Sequence, residues 1–348
     1  MGRIISYIVI LFTILAYLSV FVSPAFLWMA GFFSLSIPVL LIANIILLIY
    51  YLVRKKAWFI FHLLILVMGY KFFLISFSTS KKEDIKPDFT VLNYNVRVFN
   101  VYSHLNNNYE SCKKMIDWVS KDTADIKCLQ EFYHDEKSSI FNTVQRFKNY
   151  GEYQYFGKAS VTNKIGAEFG LAIFSKYPIV NRGEVLIEED PDQYAIYADV
   201  LIGKDTLRIY NVHLQSMKID EDYLEIDRAR EQFFNVANKL KGGFISRAKQ
   251  VQNLIDHIDA CPYEHVICGD LNDIPYSYTY FTLNSKLKNA FEEAANGFGF
   301  SYNGKLFFLR IDNQFYSDGL DIRNYTTHRE IDYSDHFPIR SSYIFKLH

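Results

Sequence analysis

No aspartate or glutamate occurs in the first 80 residues, which carry five basic side chains: Arg3, Arg54, Lys55, Lys56 and Lys71. The whole chain has no marked excess of either charge. It holds 37 Lys plus Arg against 38 Asp plus Glu, a net of -1 over 348 residues. That balance excludes a strongly basic nucleic-acid scavenger and an acidic low-complexity tail. Removing the first 80 residues leaves 37 − 5 = 32 basic and 38 acidic residues in 81–348, a net of -6. Cysteines are few: Cys112, Cys128, Cys261 and Cys268. No CxxC and no Cys/His zinc spacing is present. Cys128 and Cys268 lie in apolar strand-like runs and read as buried thiols. Their spacing demands no disulfide, although an oxidising compartment would permit one. There is no internal repeat of fixed period, which argues against a repeat architecture.

Three apolar runs fill residues 1–80: about Ile4 to Val22, Phe26 to Val53 and Ala57 to Phe77. Each has the roughly 20 residues that a helix needs to cross a bilayer. Ser23-Pro24 separates the first two runs, and Arg54-Lys55-Lys56 separates the last two. The third run contains His62 and Lys71. Lys71 is near one end and can reach the head groups. His62 reads as a tolerated interfacial or inter-helix histidine, with a proton relay as the alternative. Arg3 and the Arg54–Lys56 cluster are expected to stay cytoplasmic. Three spans then put residues 81–348 on the other side. If the first run were instead a cleaved signal peptide, that side would not change. The expected organisation is a membrane domain over 1–80, a polar linker over 81–88 and a soluble domain over 89–348, long enough for one large core.

Strand-like runs cover Phe89 to Asn95, Asp125 to Gln130, Gly170 to Ser175, Val185 to Glu189, Tyr194 to Ile202, Thr206 to His213 and Glu264 to Cys268. Later ones are expected at Gly304 to Phe308, Leu309 to Phe315 and Ser341 to Lys346. Tyr109 to Ser120 and Phe244 to Ile258 carry apolar residues at helical spacing. Helices among many strands predict an α/β fold: a four-layer sandwich of two packed sheets with helices outside. The 30 Phe and 26 Tyr supply bulk for its core.

Polar residues gather where these strands end, and strand ends are where loops expose fixed side chains. Asn95 closes the first strand, where a turn-forming Asn is the ordinary reading. Cys128-Leu129-Gln130-Glu131 delivers a carboxylate. Asn211 and His213 share one strand face. Val266 to Asp273 ends a strand on Gly269, which permits a tight exit, and presents Asp270 and Asn272. Such a pair suits a hydrated hard cation or an activated water. Leu309-Arg310-Ile311-Asp312 places another carboxylate late in a strand. Ser334-Asp335-His336 can set a base beside a metal.

The order Asn, Glu, NxH, GDxN, RID, SDH resembles the endonuclease/exonuclease/phosphatase superfamily over about residues 89–346. That group includes deoxyribonuclease I, exonuclease III, the abasic-site endonucleases and the neutral sphingomyelinases. Gly170 to Ile179 adds to the likeness. The resemblance implies a phosphoric-ester hydrolase using Mg2+, or Mn2+ in its place. It implies Glu131 as the main metal ligand, with Asn95 and Asp335. Asp270 and Asn272 would handle the attacking water. His336, paired with Asp312, would contact the phosphate or act as base. His213 would stabilise the phosphorus centre or protonate the leaving oxygen. Asn211 and Arg97 would contact substrate. Arg97 departs from family nucleases that carry an acid there. A proline- and cysteine-containing signature of the inositol-polyphosphate phosphatases is absent, which disfavours that branch.

The expected partners are a phosphodiester, from nucleic acid or a phospholipid head group, and the lipid bilayer through residues 1–80. No protein partner is inferred. A phosphomonoester substrate and a membrane-anchored scaffold without turnover are the alternatives. The net of -6 on the soluble part does not favour nonspecific duplex binding, which comes from Lys and Arg on phosphates. Tyr276, Tyr278 and Tyr280 read as ordinary packing residues, with stacking on bases or lipid as the alternative. The stretch Lys218 to Gly243 reads as a solvated helical insertion, with a place on the rim of the site as the alternative.

Overall fold

The structure is a computed structural model. It describes residues 2–80, 86–102, 109–151, 154–162, 166–185, 195–217 and 229–346, without the side chains of 158–161 and 229–233. Most of the linker 81–88, the expected strand beyond Val185 and the first part of the Lys218 to Gly243 insertion lie outside the described residues. The chain divides into two compact units. One comprises Met1–Phe77, Ser216–Val251 and Ile274–Ser285. The other comprises Ser78–Gln215, Gln252–Asp273 and Lys286–His348.

Among its described residues the larger unit holds 14 strands: β1 (Ser78–Thr79), β2 (Phe89–Asn95), β3 (Ile126–His134), β4 (Gln154–Thr162), β5 (Glu168–Ser175), β6 (Ile179–Val185), β7 (Ala195–Ile202), β8 (Asp205–His213), β9 (Glu264–Asp270), β10 (Lys288–Asn289), β11 (Asn296–Gly297), β12 (Asp312–Tyr316), β13 (Leu320–Thr327) and β14 (Ile339–Phe345). Two six-stranded sheets run β10-β12-β9-β8-β7-β6 and β13-β14-β2-β3-β5-β4. Both are mixed. β2 pairs with β3, and β8 with β9, in parallel, while the other pairings are antiparallel. In the two parallel pairs, β2, β8 and β9 each end on a candidate site residue, and β3 carries Glu131 three residues before its end.

The alternation of each strand explains the layers. Val91, Ile126, Cys128 and Ile173 from one sheet meet Ile196, Ala198, Leu207, Ile209, Val266 and Cys268 from the other in one core. The opposite face of the β2/β3/β5 region packs Tyr94, Leu129, Ala172 and Phe174 against Cys112, Met115, Ile116 and Val119 of helix Tyr109–Lys121 and Phe147 of helix Thr143–Gly151. Burial of such side chains contributes about 1.5–3 kcal/mol each. This is the α/β sandwich that the strand pattern predicts. Gly304 to Phe308 is a turn instead of the expected strand. Phe307 and Phe308 are exposed, so that apolar run finds no sheet to cover it.

The smaller unit contains helices Gly2–Ser19, Met29–Leu35, Ile37–Val53, Phe59–Met68 and Tyr70–Leu74. Gly2–Ser19 is long and apolar enough to cross a membrane, and Met29–Leu35 with Ile37–Val53 form a pair bent by 47°. The third apolar run is broken at Gly69 into helices of ten and five residues. The phenol of Tyr17 lies over Gly69, where any Cβ would come within 2.1 Å of its oxygen. The same hydroxyl donates to the Ile65 carbonyl at 3.3 Å. His62 is buried between helices. Its Nδ1 lies 2.8 Å from Asn44 Oδ1 and its Nε2 3.1 Å from Ser6 Oγ. Asn44 donates to Thr13 at 2.8 Å, and Ser6 donates to the Tyr51 hydroxyl at 3.0 Å. Both ring nitrogens are thus satisfied, the inter-helix arrangement in which a polar side chain is tolerated in an apolar bundle.

Candidate active site

β2 ends on Asn95, β3 carries Glu131, β8 ends on His213 and β9 ends on Asp270. Asp270 is the hub. Its Oδ2 accepts from Asn95 Nδ2 at 3.1 Å and lies 3.7 Å from both His213 Nε2 and His336 Nε2. Its Oδ1 accepts from the Asn272 backbone N–H at 2.8 Å. Asn95 Nδ2 also donates to Glu131 Oε1 at 3.3 Å, and His213 Nε2 lies 3.9 Å from the same oxygen. The six motifs read from the sequence therefore meet in space.

Backbone conformation aims these groups. The β3/β5 ladder slips between Leu129 and Phe132, and Glu131 has φ 49°. An irregularity of this kind re-aims a side chain at a sheet end. Asn272 (φ 50°) and Arg97 (φ 44°) are also left-handed, a conformation that costs non-glycine residues about 1 kcal/mol or more. Asn272 is held there by its N–H to Asp270 and by its side-chain donation to the Leu214 carbonyl at 3.0 Å.

Asp312 opens β12 and pairs through Oδ2 with His336 Nδ1 at 2.8 Å. Both are buried. Burial alone would lower the His336 imidazole, but Asp312, Asp270 and Asp335 outweigh it and push it up to about 10. These acidic neighbours favour the protonated ring, and with Nδ1 held by Asp312 its Nε2 is the nitrogen that faces inward. His213 Nε2 is buried without a hydrogen-bond partner. A buried donor or acceptor left open is costly, and here it lies 3.7 Å from Asp270 Oδ2 and 3.9 Å from Glu131 Oε1.

Asp335 is drawn toward Arg97, whose Nε is 3.4 Å from its Oδ2. The expected ligand trio was Asn95, Glu131 and Asp335. Among the described His, Cys, Asp and Glu side chains, Asp270, Asp312 and His336 form a further compact group, with ligand atoms within 4.8 Å of one another. Two of those three are already bonded to each other.

Asn211 was expected to touch substrate. It is fully buried, and its side chain is used up across the sheets. It donates to the Leu129 and Ala172 carbonyls at 2.9 Å each and accepts from Gln130 at 2.6 Å. Gln130 also donates to Asn93 at 2.8 Å. Asn93, Gln130 and Asn211 form an amide layer just beneath Asn95, Glu131 and His213. The strand period puts Asn93 under Asn95 and Asn211 under His213. Sequence reasoning passed over Asn93 and Gln130, although an amide inside an apolar strand was the available signal. It gave Ser334 no role of its own within its motif, although the Ser334 Oγ donates to the Asn95 carbonyl at 2.9 Å, and it passed over Ser301, whose Oγ accepts from the Asp312 N–H at 3.0 Å. Tyr302 lies edge-on to His336, with centroids 5.5 Å apart. Arg310 of the RID motif is not in the site. It stacks on Phe291 and donates to Asn313 at 2.6 Å.

Residues 92–336 match the model of the endonuclease/exonuclease/phosphatase family. The chain belongs to that family. Residues 2–76 match a separate model, a domain of unknown function (DUF8431). No curated protein matches the chain. Among solved structures, an endonuclease/exonuclease/phosphatase from Bacteroides vulgatus is similar at 17% identity and a TM-score of 0.55, covering 74% of this chain and 99% of that one. A mannosyl-6-phosphatase from Bacteroides thetaiotaomicron gives 16%, 0.51, 74% and 100%. The human Nocturnin catalytic domain, bound to sulfate, gives 16%, 0.51, 76% and 97%. At these identities the likeness to endonuclease/exonuclease/phosphatase structures is one of fold.

Proposed function

We propose that this member of the family is a membrane-anchored, divalent-metal-dependent phosphoric-ester hydrolase, and that its substrate is a phosphodiester of nucleic acid or of a phospholipid head group. The observation that carries the reading is the convergence of Asn95, His213 and His336 on Asp270, with Glu131 against Asn95 and His213. A phosphodiester anion repels nucleophiles, so its hydrolysis needs charge neutralisation, a base for water and an acid for the leaving oxygen.

The residues present fit a hard cation such as Mg2+ or Mn2+. Glu131 offers a carboxylate whose side chain is 37% exposed, Asn95 is its neighbour, and Asp335 stands in the adjoining loop. Mg2+ takes one or two carboxylates and keeps several waters. When bound, it would neutralise the phosphate and polarise it. Asp270, fixed by Asn95 and by the Asn272 N–H, takes the proton of the attacking water. The His336 imidazolium, oriented by Asp312, donates to a phosphate oxygen. His213 gives a proton to the leaving oxygen from Nε2.

The anchoring reading is supported by the apolar helix Gly2–Ser19 and the bent pair after it. Within the smaller unit, Ser216–Val251 and Ile274–Ser285 meet the helices at Phe21, Trp28, Gly31, Phe32, Phe72 and Ser76. Along the chain these residues fall at the ends of the apolar runs away from Arg3 and Arg54–Lys56. Three spans with Arg3 and Arg54–Lys56 kept cytoplasmic would make a multi-pass anchor with the catalytic domain extracytoplasmic.

The test uses the full chain in detergent with Mg2+ or Mn2+, against DNA, RNA, phospholipids, a bis-phosphodiester dye and a phosphomonoester. Turnover should vanish with chelator and return with metal. No metal-dependent turnover on any of these would sink the reading and revive the scaffold alternative. Glu131→Gln should raise the metal concentration for half-maximal activity by about tenfold or more. An unchanged metal requirement would remove Glu131 from the binding set. Gln130→Met keeps the volume but takes both donations from the amide layer. It should lower kcat about tenfold or more with little change in KM, because misplacement of catalytic groups is costly. An unchanged kcat in folded Gln130→Met would make that layer packing only.

A further inference from the structure

Phe307 and Phe308 stand 59% and 52% exposed on a loop, 298–309, that is tied to the catalytic centre. The N–H groups of Ser301 and Tyr302 donate to the Leu309 carbonyl at 3.0 and 3.1 Å, which closes the loop on itself. The Phe337 N–H donates to the Ser301 carbonyl, and the Asn303 N–H to the Asp335 carbonyl, both at 2.7 Å. His336 therefore sits between two backbone hydrogen bonds to the loop, with the Tyr302 ring edge-on to it. Ser301 Oγ also accepts from the N–H groups of Ile311 and Asp312 at 3.1 and 3.0 Å. At the outer part of the loop, Phe307 lies edge-on to Phe308 with ring centroids 5.8 Å apart. Two adjoining phenylalanines left in the open beside a catalytic histidine are not ordinary packing, and exposed apolar clusters mark interaction surfaces.

The other end of the loop says which surface. Phe77 closes the third apolar run, and Ser78 is the next residue, so β1 begins within about 4 Å of the end of that run. β1 pairs with β11, Ser78 opposite Gly297, and the Ser80 N–H donates to the Ala295 carbonyl at 2.9 Å. The loop starts at Phe298, the residue after Gly297. One strand pair thus joins the end of a bilayer-crossing run to the start of a loop that is hydrogen-bonded to the catalytic Asp335–Phe337 segment. Phenyl rings carry no polar atom for a base edge, and the net of -6 on residues 81–348 gives a nucleic-acid backbone little to hold. We infer that loop 298–309 dips into the membrane surface with Phe307 and Phe308 among the lipids, and that the phosphodiester it brings to Asp270 is that of a membrane phospholipid. This rests on the membrane-anchored hydrolase reading above and narrows its substrate. The reaction adds water across one P–O ester bond. The water oxygen bonds to phosphorus and its proton passes to Asp270, while the departing alcohol oxygen takes the His213 proton, leaving a phosphomonoester and an alcohol.

The full chain tests this when reconstituted with Mg2+ in vesicles of phosphatidylcholine, phosphatidylethanolamine and phosphatidylglycerol. A nitroxide would be placed by Phe308→Cys, by Val39→Cys in helix Ile37–Val53 and by Lys204→Cys in an exposed turn of the larger unit. The background is Cys261→Ser, because the other three cysteines are buried. Position 308 should be more accessible to oxygen than to a nickel chelate, as position 39 should be, while 204 should show the reverse. Turnover of the vesicle lipids relative to the bis-phosphodiester dye should fall about tenfold or more in F307S/F308S. Water-like behaviour at 308 with lipid-like behaviour at 39 overturns the inference alone. Exclusion of both reagents at 308 would mean a protein surface there and overturns it too, as would an unchanged ratio in F307S/F308S. Turnover of DNA, RNA or the dye with none of the lipids overturns the substrate assignment and leaves the hydrolase reading standing. Water-like behaviour at both 308 and 39 overturns the membrane reading as well, and absence of turnover on every substrate overturns the hydrolase reading.

Discussion

Asp270→Asn should lower kcat by about three orders of magnitude, within the span expected for loss of a general base. The carboxylate is almost fully buried, yet it receives Asn95, the Asn272 N–H and two histidine rings. Asparagine keeps the shape and can still accept from one side. Its amide nitrogen must then face another donor, and it cannot take a proton from water at neutral pH. The substitution therefore separates proton transfer from cavity shape. Steady-state kinetics on whichever panel substrate turns over would measure it, with thermal unfolding to show that the protein remains folded. A loss below about tenfold in a folded variant would take Asp270 out of the base role, and His336 would then have to be reconsidered for it.

Several of these residues were legible before any coordinates because an apolar strand that ends on a polar side chain is conspicuous. Val266 to Asp270 and Thr206 to His213 are such cases, and the order of the motifs supplied the family. Other features left no sequence signal. The slip between Leu129 and Phe132 that turns Glu131 inward depends on its partner strand. β6, over Ile179–Val185, has a mostly solvent-facing, polar pattern and does not stand out as a strand. Gly304 to Phe308 has strand-like composition, but composition does not say whether a neighbour is free to pair. Asn211 shows the same limit for a site. Two positions from His213 on one face, it looks like a ligand contact, yet its amide is taken by Leu129, Ala172 and Gln130. The third apolar run has the length for a span, and its break falls at Gly69, against which Tyr17 packs from 52 positions away in the chain (69 − 17).

The second large effect concerns the pair Asp312 and His336. His336→Asn should cost about a hundredfold or more in kcat, and Asp312→Asn nearly as much. The double variant should cost little more than His336→Asn alone. The reason is geometric. Asp312 Oδ2 is 2.8 Å from His336 Nδ1, and the carboxylate is almost fully buried, so its route to the substrate runs through the ring. It fixes which nitrogen points inward and supports the imidazolium. Once the ring is gone, that support has nothing to act on, and groups that act as one unit are non-additive. The orphaned carboxylate would also be a buried charge without its partner, so His336→Asn should lower the melting temperature and the double variant should recover part of that loss. Additive losses in kcat would mean that Asp312 acts on the reacting atoms by a route of its own. The compact group of Asp270, Asp312 and His336 ligand atoms would then be the place to seek it.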